Sequence, residues 1–199
     1  METLKIIHLC PVTGNLLTLV KRCEWRGIRV EVSDEMAAGN LYLIGGGCEL
    51  HKDFLIEQRD KGAVFLGVGE GYELLGSLGL LDIRTVEGEK RFVGNVTATA
   101  DFLKPKTIVG FENHSGRTYL QGETKPLAIV STGCGNNGED KTEGARYKNV
   151  FGTYLNGPVL PKNPHFADYL LELALGHELT PLDDEIELKT HQSLVGKAY

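Results

Sequence analysis

The sequence has few cysteines, no long apolar run and no excess of positive charge, and each absence argues against a class of protein. Its four cysteines are scattered without Cys-x-x-Cys spacing, so we predict reduced thiols and no metal site. No apolar stretch approaches the ~18 residues of a membrane-spanning helix, so no membrane insertion is expected. The net charge of −6 disfavours nucleic acid and anionic membrane surfaces as partners.

The composition is that of a globular protein with a real core. Hydrophobic residues make up 41% of the 199 residues and charged residues 24%, which predicts a single domain over residues 1–199. The polar stretch 183–199 is predicted to be a surface helix or a frayed tail. Residues 1–13 lack a basic region before their short apolar run, so we expect no signal peptide and a cytoplasmic location.

Strand-like and helix-like segments alternate over the first 80 residues. The predicted strands are 4–10, 28–32, 41–44 and 63–68, and the predicted helices are 15–26, 54–61 and 72–78. This order predicts an α/β fold with a parallel sheet and right-handed crossovers. Beyond residue 80 the runs alternate and are separated by turns, which predicts antiparallel or edge strands. These later elements are strands at 92–100, 107–112, 127–131 and 150–155 and a helix at 164–175.

The segment Gly67-Val68-Gly69-Glu70-Gly71 lies between a buried strand and a helix. This layout is that of a nucleophile elbow, G-x-Nuc-x-G, in which the central residue lies on a tight strand-to-helix turn. The pattern alone equally allows a phosphate-binding loop or a structural turn. A dinucleotide fingerprint would follow the first strand, where residues 10–14 read Cys-Pro-Val-Thr-Gly. The central Gly69 carries no nucleophile.

Longer runs identify the family that the chain resembles. They are Ile44–Gly47, Gly71–Gly76, Arg91–Gly94, Gly110–Tyr119, Gly133–Asn137 and Tyr147–Asn163. On these runs the chain resembles GatD, the glutamine amidotransferase subunit of lipid II isoglutaminyl synthase, within the cobyric acid synthase-like (CobB/CobQ-like) group. The resemblance implies a three-layer class I glutamine amidotransferase fold, in which a central, mostly parallel sheet carries helices on both faces.

The resemblance also implies that the family's chemistry is lost. In the family the elbow reads Cys-Gly-Gly-Tyr, and the cysteine attacks the glutamine amide to give a glutamyl thioester. Here Gly69 stands at the nucleophile position and Asn156 at the position of the catalytic histidine. Losing nucleophile and base together costs about 10⁶ in kcat in a serine protease, so we expect no glutaminase activity. Gly69→Cys with Asn156→His is expected to restore measurable activity if the rest of the scaffold is intact.

The residues expected to line the old substrate pocket are Gly46, Gly47, Glu70, Gly71, Arg91 and His114. In the family the glycine loop supplies backbone N–H groups to the oxyanion. Arg91 matches a family position that contacts the substrate carboxylate. The alternative role for Arg91 is a surface salt bridge. His114 lies near the glutamine pocket or holds a loop. Glu70 stands at the mouth of the site or is simply solvated.

The cysteines offer one further candidate. Cys48 follows the glycine loop, and its position makes it the candidate for a relocated nucleophile. Cys10 and Cys23 are predicted to lie in the core, and Cys134 in a structural turn. Cys48 and His51 form a Cys-x-x-His pair without a second pair, which disfavours a metal site.

Three functions remain open at this point. The resemblance implies a heterodimer with a Mur ligase-like synthetase of the MurT type, which activates a glutamate carboxylate of the lipid II stem peptide with ATP. The chain is then a glutaminase-dead or ammonia-dependent subunit without a cofactor of its own. The alternatives are a module that binds glutamine or another small ligand, and an enzyme that uses Cys48 or Glu70. The segment between Arg29 and Gly45 is short for the family, so part of the partner-facing surface is expected to be missing.

Overall fold

The computed structural model describes residues 3–10 and 12–197. Predictions that fall on residues 1, 2, 11, 198 and 199 lie outside this range. The strands are Thr3–Leu9 (β1), Arg29–Ser33 (β2), Leu41–Ile44 (β3), Val64–Val68 (β4), Ile83–Thr99 (β5), Thr107–Leu120 (β6), Ala128–Thr132 (β7), Thr142–Glu143 (β8), Ala145–Tyr147 (β9) and Val150–Thr153 (β10). The helices are Thr13–Glu24 (α1), Lys52–Asp60 (α2), Glu70–Ser77 (α3), Pro164–Leu175 (α4) and Glu185–Leu194 (α5).

The central sheet has six strands in the order β2-β1-β3-β4-β10-β9. All neighbouring pairs are parallel except β10 with β9. The register pairs Leu9 with Ile44, Ile44 with Gly67, and Gly67 with Gly152. The carboxyl ends of β1, β3, β4 and β10 therefore lie at one edge of the sheet, where ligands bind in open α/β sheets.

Alternate residues of the central strands face two separate cores. In β3, Leu41 and Leu43 belong to one apolar cluster, while Tyr42 and Ile44 belong to the other. Helices α1 and α4 pack on the first face, together with part of the second sheet, and α2 and α3 pack on the opposite face. The predicted three-layer arrangement with helices on both faces of a mostly parallel sheet is confirmed.

The second half of the chain forms the predicted antiparallel sheet, in the order β6-β5-β7-β8. Strands β5 and β6 have 17 and 14 residues and are longer than expected. The extra residues of β5, 83–91, are largely polar, so they carry no apolar alternation that would reveal a strand. An isolated bridge between Phe111 and Asn156 joins this sheet to the segment after β10.

The polar tail forms the helix α5, which packs against the rest of the domain. His191 of α5 is only 1% exposed, and one of its ring nitrogens hydrogen-bonds the Thr107 hydroxyl at 2.7 Å. The tail is thus a helix, as one of the two predictions had it, with a buried contact that its composition did not reveal. Over residues 3–10 and 12–197, none of the helices has the length and apolar character needed to cross a bilayer.

Candidate functional site

A cleft of about 530 Å³ opens at the carboxyl edge of the central sheet, between the elbow after β4 and the second sheet. It collects most of the residues that the sequence singled out, although they lie far apart in the chain. The predicted residues that line it are Gly46, Gly69, Glu70, Arg91, His114 and Asn156. Gly47 follows Gly46 in the loop and Gly71 lies beneath the elbow, so both stand beside the cleft and do not line it.

Gly69 forms the predicted elbow. Strand β4 ends at Val68, helix α3 begins at Glu70, and Gly69 between them has φ 61° and ψ −120°. A residue with a side chain pays about 1–3 kcal/mol for such a backbone conformation, whereas glycine adopts it readily. A Cβ built at Gly69 meets no atom within 4 Å. The turn therefore keeps the shape of an elbow and has room for the side chain that it lacks.

The glycines on either side of Gly69 are required by close packing. A Cβ at Gly71 would lie 2.0 Å from the Ile44 carbonyl oxygen, and one at Gly67 would lie 2.6 Å from the Gly71 carbonyl oxygen. Helix α3 thus begins directly against the ends of β3 and β4. This contact accounts for the G-x-x-x-G spacing physically and distinguishes the elbow from an ordinary turn.

Gly71→Ala is expected to destabilise the fold by about 3 kcal/mol or more, because the added methyl group meets rigid backbone of β3. Gly94→Ala is the matched control, since a Cβ at that strand position meets nothing within 4 Å. Urea unfolding of the two variants measures the difference. Equal stability for both would show that the elbow is not packed as described.

Glu70 packs directly on the glycine loop. A Cβ at Gly46 would lie 2.0 Å from Glu70 Oε2 and 2.5 Å from Glu70 Cβ. Glu70 is exposed to solvent on its other side, so it is both solvated and part of the wall of the cleft. Only glycine fits at position 46 while Glu70 takes this conformation.

Asn156 lies across the cleft and is held by the backbone around it. Its N–H donates to the Phe111 carbonyl oxygen at 2.8 Å, and its side-chain Oδ1 accepts from the Gly157 N–H at 2.6 Å. A carboxamide does not take up a proton at neutral pH, so Asn156 cannot act as a general base.

A hydrogen-bonded chain runs beneath the cleft. The Tyr154 hydroxyl donates to Glu73 Oε1 at 2.9 Å and lies 2.7 Å from the Thr118 hydroxyl, which in turn lies 2.7 Å from that of Thr85. Because Tyr154 has one proton and gives it to Glu73, Thr118 donates to Tyr154. Desolvation raises the pKa of Tyr154 far above its ordinary value, so the phenol stays neutral. Tyr154 fixes the floor of the cleft and supplies no charge.

His114 is a neutral wall of the cleft. Its ring stacks on Tyr154 with centroids 3.7 Å apart, and its Nδ1 lies 2.9 Å from the Gly116 carbonyl oxygen, to which it donates. Desolvation lowers its pKa to about 4, and Nε2 is buried without a hydrogen-bond partner. His114 therefore lines the cleft and is held in place by the carbonyl of Gly116, which lies in the same strand, β6.

The shifted pKa values of buried groups predict that the free energy of unfolding decreases as the pH is lowered from about 6.5 to about 4.5. Burial lowers the pKa of both His114 and His165 to about 4, so in this window the unfolded chain binds protons that the folded chain does not. Glu143 acts in the opposite sense, because desolvation raises the pKa of its carboxyl to about 7. The net effect is a loss of up to about 1.4 kcal/mol of unfolding free energy per pH unit on acidification.

Urea unfolding at pH 4.5, 5.5 and 6.5 tests this slope. His114→Phe keeps an aromatic ring on Tyr154 and removes one titrating group, so its slope is expected to be nearly flat. A slope in His114→Phe as steep as that of the unaltered chain would contradict the assignment.

Arg91 stands at the rim of the cleft and is anchored by a neutral residue. Its Nε donates to Asn113 Oδ1 at 3.0 Å, and its Nη2 donates to the Asn113 carbonyl oxygen at 3.1 Å. These bonds orient the guanidinium without neutralising it. Glu70, Glu73 and Glu87 line the same cleft, so its carboxylates outnumber its one guanidinium.

The cysteines correct two predictions. Cys10 and Cys48 are paired with their Cα atoms 6.0 Å apart, a separation that permits a disulfide which the expectation of reduced thiols did not include. Parallel pairing of β1 with β3 brings the two strand ends together, which the 38-residue separation did not reveal. Cys10 is half-buried and not a core residue, whereas Cys23 is fully buried as expected. Cys48 does not line the cleft, so it is not placed to serve as a nucleophile there.

Glu73, Tyr154 and Glu87 are among the cleft residues that the sequence did not single out. Glu73 lies one helical turn after Glu70, a spacing that places both on one face of α3. Tyr154 lies two residues before Asn156 within a run that matches the family, so its position could have been inferred. Glu87 left no signal, because it lies in the polar part of β5 that carries no strand pattern.

Solved structures show the class of fold. A glutamine amidotransferase from Thermotoga maritima has the same fold as this chain, with a TM-score of 0.58 and 15% sequence identity over 98% of this chain and 97% of that one, so the fold is of the class I glutamine amidotransferase type. The structure of PurLQS from Thermotoga maritima has the same fold, with a TM-score of 0.60 and 16% sequence identity over 97% of this chain and 99% of that one. The model of the CobB/CobQ-like glutamine amidotransferase domain matches residues 66–164.

Sequence similarity narrows the class to one family. The GatD subunit of lipid II isoglutaminyl synthase (glutamine-hydrolyzing) from Staphylococcus aureus is 35% identical, over 96% of this chain and 92% of that protein. The GatD subunit from Streptococcus pneumoniae is 34% identical, over 80% of this chain and 55% of that protein. The chain belongs to the GatD family.

Proposed function

We propose that this chain is the GatD-type subunit of an enzyme that amidates lipid II, and that it has lost its own glutaminase. The observation that carries the proposal is Gly69 at the centre of an intact elbow, in a cleft whose other wall presents Asn156. The scaffold that positions a nucleophile and a base is kept, while both reacting groups are absent.

No described residue at the elbow carries a replacement nucleophile, and the Ser115 hydroxyl, which also lines the cleft, lies in β6 and not at the elbow. Amide hydrolysis through a covalent intermediate requires a thiol or hydroxyl at the elbow, next to a base that accepts its proton. Cys48 does not line the cleft, whether its thiol is bonded to Cys10 or free. The Tyr154 hydroxyl is committed to Glu73 and Thr118, and burial keeps it neutral. We therefore assign the source of the amide nitrogen to free ammonia.

The partner in this proposal is a Mur ligase-like synthetase of the MurT type, in a heterodimer. The relatives are named as subunits of lipid II isoglutaminyl synthase, which supports a role beside a synthetase subunit. A cytoplasmic location is part of the same proposal. Thiols are kept reduced in that compartment, so the Cys10–Cys48 disulfide is expected to open there.

The experiment that tests the lost activity measures ammonia release from glutamine by the purified chain, alone and with its synthetase. The Staphylococcus aureus relative assayed in parallel is the positive control. We expect release no faster than that of a buffer blank. Release at the rate of the relative would overturn the proposal.

A second candidate function is a module that binds glutamine without cleaving it. The retained cleft of about 530 Å³ with Arg91 at its rim favours this candidate, because a guanidinium suits the α-carboxylate of an amino acid. Calorimetry with glutamine on the unaltered chain and on Arg91→Ala measures it. Heat that saturates at millimolar glutamine and disappears in Arg91→Ala would support it, and no heat in either would remove it.

A further inference from the structure

We infer that Glu70 bars anions from the space between the glycine loop and the elbow, and is a third determinant of the lost chemistry besides Gly69 and Asn156. The inference rests on the proposed function, because it states that the altered site excludes negatively charged ligands. It concerns a residue that the family pattern places next to the nucleophile, where glycine stands in the Cys-Gly-Gly-Tyr elbow.

The geometry places the Glu70 carboxylate over the loop. The carboxylate oxygen Oε2 and the Cβ of Glu70 both lie within 2.5 Å of where a Cβ of Gly46 would be. Gly46 and Glu70 also line the cleft on the same side as Gly69. The side chain therefore fills the interval between the loop after β3 and the first turn of α3.

The space between the glycine loop and the first turn of α3 is where enzymes with a nucleophile elbow stabilise negative charge. In elbow enzymes the oxyanion hole is formed by the N–H of the residue after the nucleophile and an N–H from a neighbouring strand-to-helix loop. The corresponding groups here are the backbone N–H of Glu70 and those of Gly46 and Gly47, since the Gly45 N–H donates to the Leu9 carbonyl oxygen at 3.0 Å. A carboxylate among these donors repels the anion that they would otherwise bind.

The consequence follows from the steps of thiol-dependent hydrolysis. When a thiolate sulfur bonds to the amide carbon, the carbonyl π electrons move to oxygen and leave a negative charge there. The C–N bond then breaks as nitrogen takes a proton from the base, and ammonia leaves. A carboxylate beside that oxygen raises the energy of this intermediate, so restoring the thiol and the base leaves the site unfavourable.

A charge-selective probe tests the inference without depending on catalysis. Gly69→Cys provides a thiol at the elbow, and its alkylation is followed with neutral iodoacetamide and anionic iodoacetate in Gly69→Cys and in Gly69→Cys/Glu70→Gln. We expect Glu70→Gln to raise the ratio of the iodoacetate rate to the iodoacetamide rate about fivefold at low salt. A unit charge at about 4 Å repels an incoming anion by about 1 kcal/mol even in water, which corresponds to about that factor in rate. The gain should shrink as salt is added.

Glu87→Gln is the matched control, because it removes a carboxylate from the same cleft but from β5, away from Gly46. It should change the ratio less than twofold. An unchanged ratio in Glu70→Gln, or an equal change in Glu87→Gln, overturns the inference. Neither result depends on whether the unaltered chain hydrolyses glutamine, so the inference and the proposed function fail separately.

A second measurement leaves Gly69 unaltered, in case the strained elbow does not tolerate cysteine. Amide ¹H–¹⁵N shifts of residues 45–47 and 69–71 are followed on adding sodium formate to the unaltered chain and to Glu70→Gly. Saturable shifts in Glu70→Gly alone support the inference. Equal shifts in both proteins, or shifts in neither, overturn it.

Discussion

The triple variant Gly69→Cys/Glu70→Gly/Asn156→His is expected to release ammonia from glutamine at least about a thousandfold faster than the unaltered chain. Nucleophile and base together account for about 10⁶ in kcat in a serine protease, so recovering part of that factor gives a large signal. The elbow has room for the thiol, because a Cβ at Gly69 meets no atom within 4 Å. Stopped assays of ammonia against glutamine concentration measure kcat and KM.

The double variant Gly69→Cys/Asn156→His is the comparison that isolates Glu70. It should be active but at least tenfold slower than the triple variant in kcat, because the carboxylate still opposes the oxyanion. Thermal melts of both variants check that the elbow tolerates cysteine, whose backbone strain is about 1–3 kcal/mol. A folded triple variant that is as inactive as the unaltered chain would show that the cleft has decayed beyond these positions.

Arg22→Met is expected to lower the unfolding free energy by about 3 kcal/mol or more. Arg22 is 2% exposed and makes paired hydrogen bonds of 2.5–2.8 Å to the carboxylates of Asp168 and Asp184. Without Arg22, the half-buried carboxylates of Asp168 and Asp184 lose their shared partner, and only Arg26 remains near Asp168. Breaking a buried ion pair in this way costs about 3–5 kcal/mol of unfolding free energy. Since 1 kcal/mol moves Tm by about 2–4 °C at this size, Tm should fall by about 6–12 °C.

Arg29→Met is the control for Arg22→Met. The Arg29–Glu31 pair is 64% and 52% exposed, and such pairs contribute little. Its Tm should stay within about 2 °C of the unaltered chain. Because Asp184 immediately precedes α5, Arg22→Met should also speed amide exchange in α5 before the rest of the fold. Equal melting of the two variants would contradict the role given to Arg22.

The sequence predicted the central layers because their strands and helices carry strong apolar patterns. The strand Leu41–Ile44 and the helix Pro164–Leu175 have the bounds that were predicted. Strands β8 and β9 have two and three residues, which is too short to leave a pattern. The polar half of β5 was missed because a strand with little buried surface has no alternation to detect.

The candidate site could be predicted where a family motif or a backbone constraint marks a residue. Arg91, His114 and Asn156 lie in matching runs, Gly69 lies two residues before one, and the structure brings all four to one cleft. The role of Glu70 could not be predicted, because it depends on the conformation of the loop at Gly46, which is distant in sequence. The disulfide of Cys10 was missed for the same reason, since it depends on strand order.

The central claim is that the amide nitrogen comes from free ammonia and not from glutamine cleaved by this chain. The most direct test supplies the chain and its Mur ligase-like synthetase with lipid II and ATP, and with either glutamine labelled with ¹⁵N at the amide or ¹⁵N-ammonium chloride. Mass spectrometry of the stem peptide then reports the source of the nitrogen. We predict label from ammonium and none from glutamine. Label from glutamine, with this chain as the only amidotransferase subunit present, would contradict the account.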